Sequence, residues 1–300
     1  MRKVNKIQFQ FNPDTNYVYH MLSVATCGYD NAYGAQFRSF HAAADLAILK
    51  KYQEHITIQG GAHNGRLYWH LVAVPARGEI SADAYYRAFR DLFLTRNAAD
   101  SVIEDASCLI PEFADLSGAI LEICNVMIRN YDIYLGKVWP QTRQELASYI
   151  PPLDRMFEEN HFTELAEKAL ATDLEQEAFY VVFTNAISGG PEAIDISPIQ
   201  DVFDIHRPAR DAYSFIAHEY VIYLLKSALR GTNAFQSLDT WAVAEALAEF
   251  YLIRITGSSG LFTQQADKAA FYQDLAFRYH APGRQQVGEG SCHPGYCPAP

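Results

Sequence analysis

Apolar residues recur at helical spacing through most of this chain, and one short stretch near the middle departs from that pattern. The stretch is FYVVFTNAI at residues 179–187, which is rich in β-branched and aromatic side chains and is followed by Gly189, Gly190 and Pro191. An apolar run of this composition that ends in a turn is typical of a β-strand. A second short strand is predicted for EAIDIS at residues 192–197, where apolar and acidic residues alternate. We therefore predict a mainly α-helical protein with a small mixed β-sheet, an α+β fold.

The remaining segments are assigned by their spacing and by their capping and breaking residues. No internal repeat is found. The predicted elements are a strand at residues 7–11, two helices with a turn between them over residues 17–52, a strand or helix start at residues 67–74, a helix over residues 81–97 capped by Ser81 or Asp83, a buried helix over residues 114–138 that ends at Trp139-Pro140, and two amphipathic helices over residues 141–179 separated near Pro151-Pro152.

The length of 300 residues allows one large domain or two smaller ones, with most of the apolar surface buried. Hydrophobic residues make up 49% of the chain and charged residues 20%, which excludes wholesale disorder and a fibrous protein. We divide the chain into a helical N-terminal region (1–175), a region with the short strands and two apolar helices (176–283), and a flexible tail rich in Gly, Pro and Cys (284–300).

The net charge is −11, with 24 Lys and Arg against 35 Asp and Glu, so the average field repels a nucleic-acid backbone. We expect no nucleic-acid partner. The sequence contains no run of 18 apolar residues and no signal-peptide pattern near its start. We therefore expect no membrane partner and a cytoplasmic location.

Five cysteines in a chain of this length do not form a disulfide framework. Cys27, Cys108 and Cys124 lie in apolar surroundings, so we expect them to be buried in the core. Cys292 and Cys297 lie in the tail segment GEGSCHPGYCPAP, whose Gly and Pro content prevents regular structure. Three alternatives are open for this pair: a small disulfide loop, a metal site with the intervening histidine, or a disordered tail without a role.

The segment DAYSFIAHEYVIYLLKSALRG, residues 211–231, is a helix candidate that carries His218 and Glu219 on an apolar background. A helix turns 100° per residue, so positions 218 and 222 share one face and could hold a metal ion between them. Glu219 projects beside that point. The residue at the second ligand position is Ile222.

A second helix is predicted for TWAVAEALAEFYLIRITG, residues 240–257, in which Glu245 and Glu249 lie one turn apart. Carboxylates are rarely buried without a partner. Two of them on an otherwise apolar helix therefore call for an arginine or other cation, or for a metal ion. Core packing alone does not explain His-Glu on one apolar helix and Glu on the next.

These residues resemble the gluzincin metallopeptidases, which include thermolysin and several aminopeptidases and share HExxH on one helix and a glutamate on a following helix. The resemblance implies that His218 is the first zinc ligand, that Glu219 is the general base for a metal-bound water, and that Glu245 is the third ligand. It covers about residues 179–256 and implies a thermolysin-like catalytic core. The strand FYVVFTNA, Gly189 and Gly190, and the EAIDIS segment are similar to the edge-strand region that holds extended substrate.

The departure from this pattern is central, because Ile222 replaces the second histidine and has no lone pair to offer. Structural zinc sites bind with about 10–16 kcal/mol over four ligands, so losing one ligand costs about 3 kcal/mol, or on the order of a hundredfold in affinity. Zinc is therefore expected to be weakly bound or absent, and Glu219 then has no polarised water to deprotonate. We expect a catalytically inactive pseudo-enzyme whose groove binds a peptide or protein ligand.

Three alternatives stay open at this point. The first is an active metal-dependent hydrolase with a substitute ligand, for which the candidates are His206, Asp239, Glu249 and His293. The second is a biosynthetic enzyme that uses the Glu/His cleft directly for acid-base chemistry. The third is a chance match. Without a metal role, we expect His206 to be a loop histidine and Glu249 to be exposed or salt-bridged.

Overall fold

The computed structural model describes residues 6–59, 63–99, 101–188, 193–197, 199–229, 240–257, 260–261 and 270. Helices predominate in these residues, which confirms the predicted mainly α fold with a small mixed sheet. The helices are α1 (Pro13–Val24), α2 (Ala32–Phe37), α3 (Ala43–Lys51), α4 (Gln53–Ile56), α5 (Val74–Ala76), α6 (Ala82–Thr95), α7 (Ala106–Glu112), α8 (Ser117–Lys137), α9 (Trp139–Asn160), α10 (Phe162–Leu170), α11 (Ala209–Leu229) and α12 (Thr240–Thr256). The strands are β1 (Ile7–Gln10), β2 (Ile58–Gln59), β3 (His63–Asn64), β4 (Phe179–Thr184), β5 (Ala193–Ser197) and β6 (Gln200–Asp204).

The larger sheet of the described residues has the strand order β1-β4-β6-β5, and β2 and β3 form a separate antiparallel pair. β1 is parallel to β4, β4 is parallel to β6, and β5 is antiparallel to β6. Ile7 pairs with Phe179, so the strand predicted near the start of the chain joins the strand predicted near its middle. β5 lies at one edge of this sheet, with an irregularity in its register between Asp195 and Ser197.

The sheet separates two apolar cores, because successive strand residues point to opposite faces. Phe179, Val181 and Phe183 of β4 belong to the core that includes α9, α10, α11 and α12. Val182, together with Val202 of β6, belongs to the core that includes α1, α6 and α8. Helices therefore cover both faces, and the pattern of β4 is the nearly continuous apolar run expected of a strand buried on both sides.

Two capping and boundary predictions for the N-terminal helices are confirmed. The Ser81 side chain caps α6 by accepting a hydrogen bond from the Ala84 backbone N–H at 3.2 Å. The buried helix predicted over residues 114–138 is α8, and the next helix begins at Trp139 as the Trp-Pro step indicated. Among the described helices, none is long and apolar enough to cross a membrane.

The predicted break at Pro151-Pro152 is wrong, because α9 continues through both prolines. Pro151 and Pro152 are exposed, whereas Leu153 and Phe157 on the other side are buried in the core. The buried contacts of Leu153 and Phe157 offset the cost of the two prolines on the exposed face and keep the helix continuous. The break comes instead at His161, whose φ of 49° lies in the left-handed region that ends helices.

Three further expectations for the N-terminal region are corrected or decided. Residues 17–52 contain parts of three helices, α1, α2 and α3, where the sequence predicted two. Residues 67–74, which suited a strand or a helix, form a π-helical turn (Trp69–Ala73) that runs into α5. Cys27 and Cys124 are buried as expected, but Cys108 is exposed, since Ala106 and Leu109 are the residues that α7 buries. The tail, with Cys292 and Cys297, lies outside the described residues.

The strand β6 was missed by the sequence analysis. Its sequence is QDVFD, and all five residues are buried. Acidic residues at two of the five positions conceal a central strand, because strands favour β-branched and aromatic side chains. The strand is central because it pairs with both β4 and β5.

Candidate functional site

Helices α11 and α12 carry the candidate site and pack against each other. α11 begins at Ala209, two residues before the predicted segment 211–231, because the Pro208 carbonyl accepts hydrogen bonds from the N–H groups of Asp211 and Ala212. Proline suits this position, since its fixed φ allows it to precede a helix and its carbonyl stays free to accept. Both helices are mainly apolar and lie in the same core, so the few polar side chains on their inner faces are buried with them.

His218 of α11 and Glu245 of α12 meet at the interface of the two helices. The His218 Nε2 atom lies 3.0 Å from the Glu245 Oε2 atom. Both side chains are buried, with relative exposures of 2% and 6%. Because a carboxylate accepts, the imidazole donates Nε2–H in this contact. The two residues that the sequence singled out as metal ligands are therefore adjacent.

Glu249 approaches the other nitrogen of the same imidazole. Its Oε2 atom lies 4.0 Å from His218 Nδ1 and accepts a hydrogen bond from the Leu261 N–H at 3.1 Å. Glu249 is buried at 3% exposure, so the expectation of an exposed side chain is wrong and that of a salt bridge is correct. Gly260 has a φ of 85°, and a Cβ atom there would lie 2.0 Å from Glu249 Oε1. Only glycine therefore lets this backbone approach the carboxylate.

The carboxylates around His218 favour its charged form. Burial lowers the pKa of the imidazole, but the hydrogen bond that it donates to Glu245 and the negative charges of Glu219, Glu245 and Glu249 raise it. The net result is a raised pKa. The neighbouring carboxylates therefore shift the protonation equilibrium of His218 towards the imidazolium form.

Glu219 follows His218 on α11 and is half-buried. Burial, the negative charge of Glu245 and that of Asp195 raise its pKa to about 7, although the positive charges of His218 and Lys226 act in the opposite direction. A carboxyl group with this pKa exchanges its proton near neutral pH, which is the property required of a general acid or base.

A buried carboxyl group of β6 lies close to this face of α11. The Tyr223 hydroxyl donates to Asp201 Oδ1 at 3.1 Å and also contacts the Ser197 carbonyl oxygen at 3.2 Å. Burial and the charges of Asp195 and Glu219 raise the pKa of Asp201 well above its usual range. Sequence analysis missed this pair, although Tyr223 follows Glu219 by one helical turn and shares its face.

A cavity of about 310 Å³ opens beside these residues. β5 contributes Asp195 and Ser197 to its wall, and α11 contributes Tyr223, Leu224 and Lys226. The Lys226 Nζ atom lies 3.8 Å from Asp195 Oδ2, so this ion pair bridges the edge strand and the helix. The remaining lining residues are Trp69, Asp173, Leu174, Glu175 and Gln176.

The other predicted site residues do not join the contact between His218 and Glu245, or lie outside the described residues. Ile222 is buried at 3% exposure and packs in the apolar core, one turn after His218. Gly189 and Gly190, predicted to bind substrate, lie outside the described residues. Among the proposed substitute ligands, His206 is exposed in the loop before α11 and its Nε2 atom lies 2.9 Å from the Asn185 carbonyl oxygen. Asp239 and His293 also lie outside the described part of the chain.

The described residues do not fit a complete zinc site. His218 Nε2 and Glu245 Oε2 are two metal-binding atoms of suitable type at one point, but Ile222 supplies only hydrocarbon at the second ligand position. Glu249 lies at the opposite nitrogen of the ring and does not fill the missing position. Within the part of the chain that the structure describes, no group of three or more His, Cys, Asp or Glu side chains is placed to hold a metal ion.

Comparison with known proteins gives no match to this chain among protein-family models, curated proteins or solved structures. The geometry and chemistry of the site itself are therefore what indicate a function for this chain.

Proposed function

We propose that this chain is a gluzincin-like protein with an incomplete zinc site, which binds an extended peptide or protein segment without hydrolysing it. The observation that carries the proposal is the 3.0 Å contact between His218 and Glu245 with Ile222 one turn away. An imidazole and a carboxylate at a common buried point are the first and third ligands of the HExxH…E pattern. Because isoleucine at the second position cannot bind zinc, the site lacks the metal that peptide hydrolysis requires.

Glu249 supports the same proposal. A histidine that ligates a metal commonly directs its other ring nitrogen to a carboxylate, which fixes the orientation of the ring. Glu249 lies on the Nδ1 side of His218, and Glu245 lies on the Nε2 side. This arrangement is that of a ligand and its orienting carboxylate, retained around a site that has lost one donor.

The fold also supports a thermolysin-like core. β5 is an antiparallel edge strand that precedes α11 in the chain, in a sheet whose other described strands are parallel. An edge strand presents backbone N–H and C=O groups that can pair with an added strand. The cavity between β5 and α11 lies beside this edge, with Asp195, Ser197 and Tyr223 in its wall.

The experiment that tests the proposed function is a binding screen with extended peptides, combined with a cleavage assay on every peptide that binds. We expect binding without cleavage in the presence of zinc. Matched peptides with N-methylated backbone amides are the control, because they keep their side chains but cannot pair with a sheet edge. Cleavage of bound peptides contradicts the loss of hydrolysis. Equal binding of N-methylated peptides, or binding of none, contradicts the edge-strand proposal.

A second candidate function is acid-base catalysis by Glu219 without a metal. The observation in its favour is Glu219, a half-buried carboxyl group with a pKa of about 7 that follows His218, whose own pKa is raised. A screen of small-molecule substrates with the wild type and Glu219→Gln distinguishes the two candidates. Turnover that disappears in the variant supports acid-base catalysis. If no substrate is turned over and the variant binds peptides as the wild type does in the peptide screen, the first proposal is supported.

A further inference from the structure

A chain of buried hydrogen bonds crosses the N-terminal core, away from the site between α11 and α12. The Tyr33 hydroxyl lies 2.8 Å from His20 Nδ1, and His20 Nε2 lies 2.8 Å from His41 Nε2. His41 Nδ1 lies 2.8 Å from Asn130 Oδ1, and Asn130 Nδ2 donates to Asp45 Oδ2 at 2.9 Å. His20 is fully buried and His41 is 7% exposed. These contacts connect four helices, α1, α2, α3 and α8, through His41, which lies two residues before α3.

The Asn130 side chain determines the direction of the chain. Its Nδ2 group donates both to Asp45 Oδ2 and to the Val126 carbonyl oxygen, the latter at 2.8 Å. A carbonyl oxygen can only accept, so a reversed amide would place two oxygens against each other. Asn130 Oδ1 therefore faces His41, and His41 Nδ1 carries a hydrogen.

The neutral state of the two imidazoles follows from this one assignment. A neutral His41 with a hydrogen on Nδ1 has a bare Nε2, which must accept from His20 Nε2–H. His20 Nδ1 is then bare and accepts from the Tyr33 hydroxyl. Each hydrogen bond has one donor and one acceptor, and all of them point from Tyr33 towards Asp45.

The same atoms can hold one additional proton if the Tyr33–His20 and His20–His41 hydrogen bonds both reverse their direction. Tyr33 gives its hydrogen to His20 Nδ1 while its oxygen takes up the new proton, and the His20 Nε2 hydrogen passes to His41 Nε2. His41 is then an imidazolium, and His20 is neutral with its hydrogen on Nδ1. The Tyr33 oxygen accepts from His20 in this state. A second proton does not fit, because two Nε2–H groups would face each other at 2.8 Å.

We propose that Tyr33, His20 and His41 form a relay that takes up one proton, holds it on His41 and reverses the tautomer of His20. In the charged state the added proton rests on His41, beside the Asn130 amide and the Asp45 carboxylate. The relay is a proton-sensitive element of the N-terminal core, and it is independent of the function proposed for His218 and Glu245.

The net pKa of both imidazoles is lowered, but that of His41 is lowered less than that of His20, so His41 is the one that takes up a proton first. Burial lowers the pKa of His20 well below its usual range, and a charge on His41 lowers it further. Burial also lowers the pKa of His41, while Asn130 and Asp45 raise it and Lys137 lowers it. The other polar or charged groups that face the relay are Thr142 and Glu145 of α9 near Tyr33, Tyr134 of α8 with its ring 4.9 Å from that of His20, and Arg129 of α8, which pairs with Asp45 at 2.5 Å.

The test is NMR of the full chain with ¹⁵N-labelled histidine, which reports the protonation of each ring nitrogen. At pH 7.5 we expect His41 with its hydrogen on Nδ1 and His20 with its hydrogen on Nε2. On acidification of the folded protein, His41 becomes charged and the His20 hydrogen moves to Nδ1. A His20 hydrogen on Nδ1 at pH 7.5, two charged imidazoles in the folded state, or unfolding before any proton uptake would each overturn the relay.

A matched pair of variants separates the relay from general surface electrostatics. Asp45→Asn keeps an oxygen for the Asn130 amide but removes the negative charge, so we expect proton uptake by His41 to weaken about threefold to tenfold with the tautomers at pH 7.5 unchanged. Asp115→Asn is the control, since Asp115 forms an exposed ion pair with Arg66 at 2.7 Å. Equal shifts in the two variants, or no shift in Asp45→Asn, would contradict the proposal.

Discussion

The imidazole of His218 and the carboxylate of Glu245 lie 3.0 Å apart in the core, although 27 positions separate them in the chain. Each comes from a different apolar helix, and each is buried to the extent that water reaches neither freely. A buried ion pair is a weak source of stability, but removal of one partner leaves a buried charge and is costly. The pair therefore has measurable consequences for stability as well as for the proposed function.

Glu245→Gln should destabilise the protein by about 3 kcal/mol near pH 6, because it leaves the His218 imidazolium with one carboxylate fewer. The folded-state pKa of His218 is raised above its unfolded value, so its contribution to stability is complete below about pH 6.5 and disappears as the pH rises through the folded pKa. The difference in unfolding free energy between wild type and variant should therefore shrink from pH 6 to pH 9. Urea unfolding at several pH values measures it.

Glu122→Gln is the matched control for that experiment. Glu122 pairs with Lys51 at 3.1 Å on the surface, where both side chains are about half exposed, so its removal should change stability by less than about 0.5 kcal/mol. A Glu245→Gln effect that is equally small, or one that does not depend on pH, would contradict the charged state assigned to His218.

Gly260→Ala should destabilise the protein by about 2–3 kcal/mol, because the residue has a φ of 85° and its new Cβ would overlap the Glu249 carboxylate. Gly118→Ala is the control. Gly118 lies in α8 with nothing within 4 Å of an added Cβ, so alanine should stabilise by about 0.5 kcal/mol. Thermal unfolding of both variants measures the contrast. Equal effects of the two substitutions would show that Gly260 does not press on Glu249.

Glu219→Gln should stabilise the protein by about 1 kcal/mol at pH 9 and have little effect at pH 5. The folded-state pKa of Glu219 is raised to about 7, so the folded protein binds this proton more tightly than the unfolded chain does. Wild-type stability therefore decreases as the pH rises from the unfolded pKa of Glu219 to its folded pKa of about 7. Glutamine does not titrate, so the variant does not undergo this decrease. Urea unfolding at both pH values checks the sign. A variant less stable than wild type at pH 9 would contradict the assigned pKa.

Much of the fold and the central contact of the site were accessible from the sequence. The strand at residues 179–187 was visible from its β-branched and aromatic residues, and Ser81 was visible as a helix cap. The proximity of His218 and Glu245 was implied by the resemblance to the HExxH…E pattern, while the polar residues on two apolar helices indicated only that these side chains need partners.

Other features depend on contacts between distant segments and could not be read from local patterns. β6 is a strand because its two neighbours pair with it, despite acidic residues at positions 201 and 204. Glu249 is buried because the backbone at Gly260 and Leu261 folds onto its carboxylate. The relay of His20 and His41 joins residues of several helices whose relative positions the sequence does not give.

Restoring a histidine at position 222 tests whether His218 and Glu245 are two ligands of a zinc site that lacks its second ligand. Equilibrium dialysis against a zinc chelator should show that Ile222→His binds zinc on the order of a hundredfold more tightly than wild type. Ile222→Leu controls for the loss of isoleucine. The gain should disappear when Ile222→His is combined with Glu245→Gln. Zinc affinity that does not rise in Ile222→His, or that rises equally with Glu245 replaced, would contradict the account.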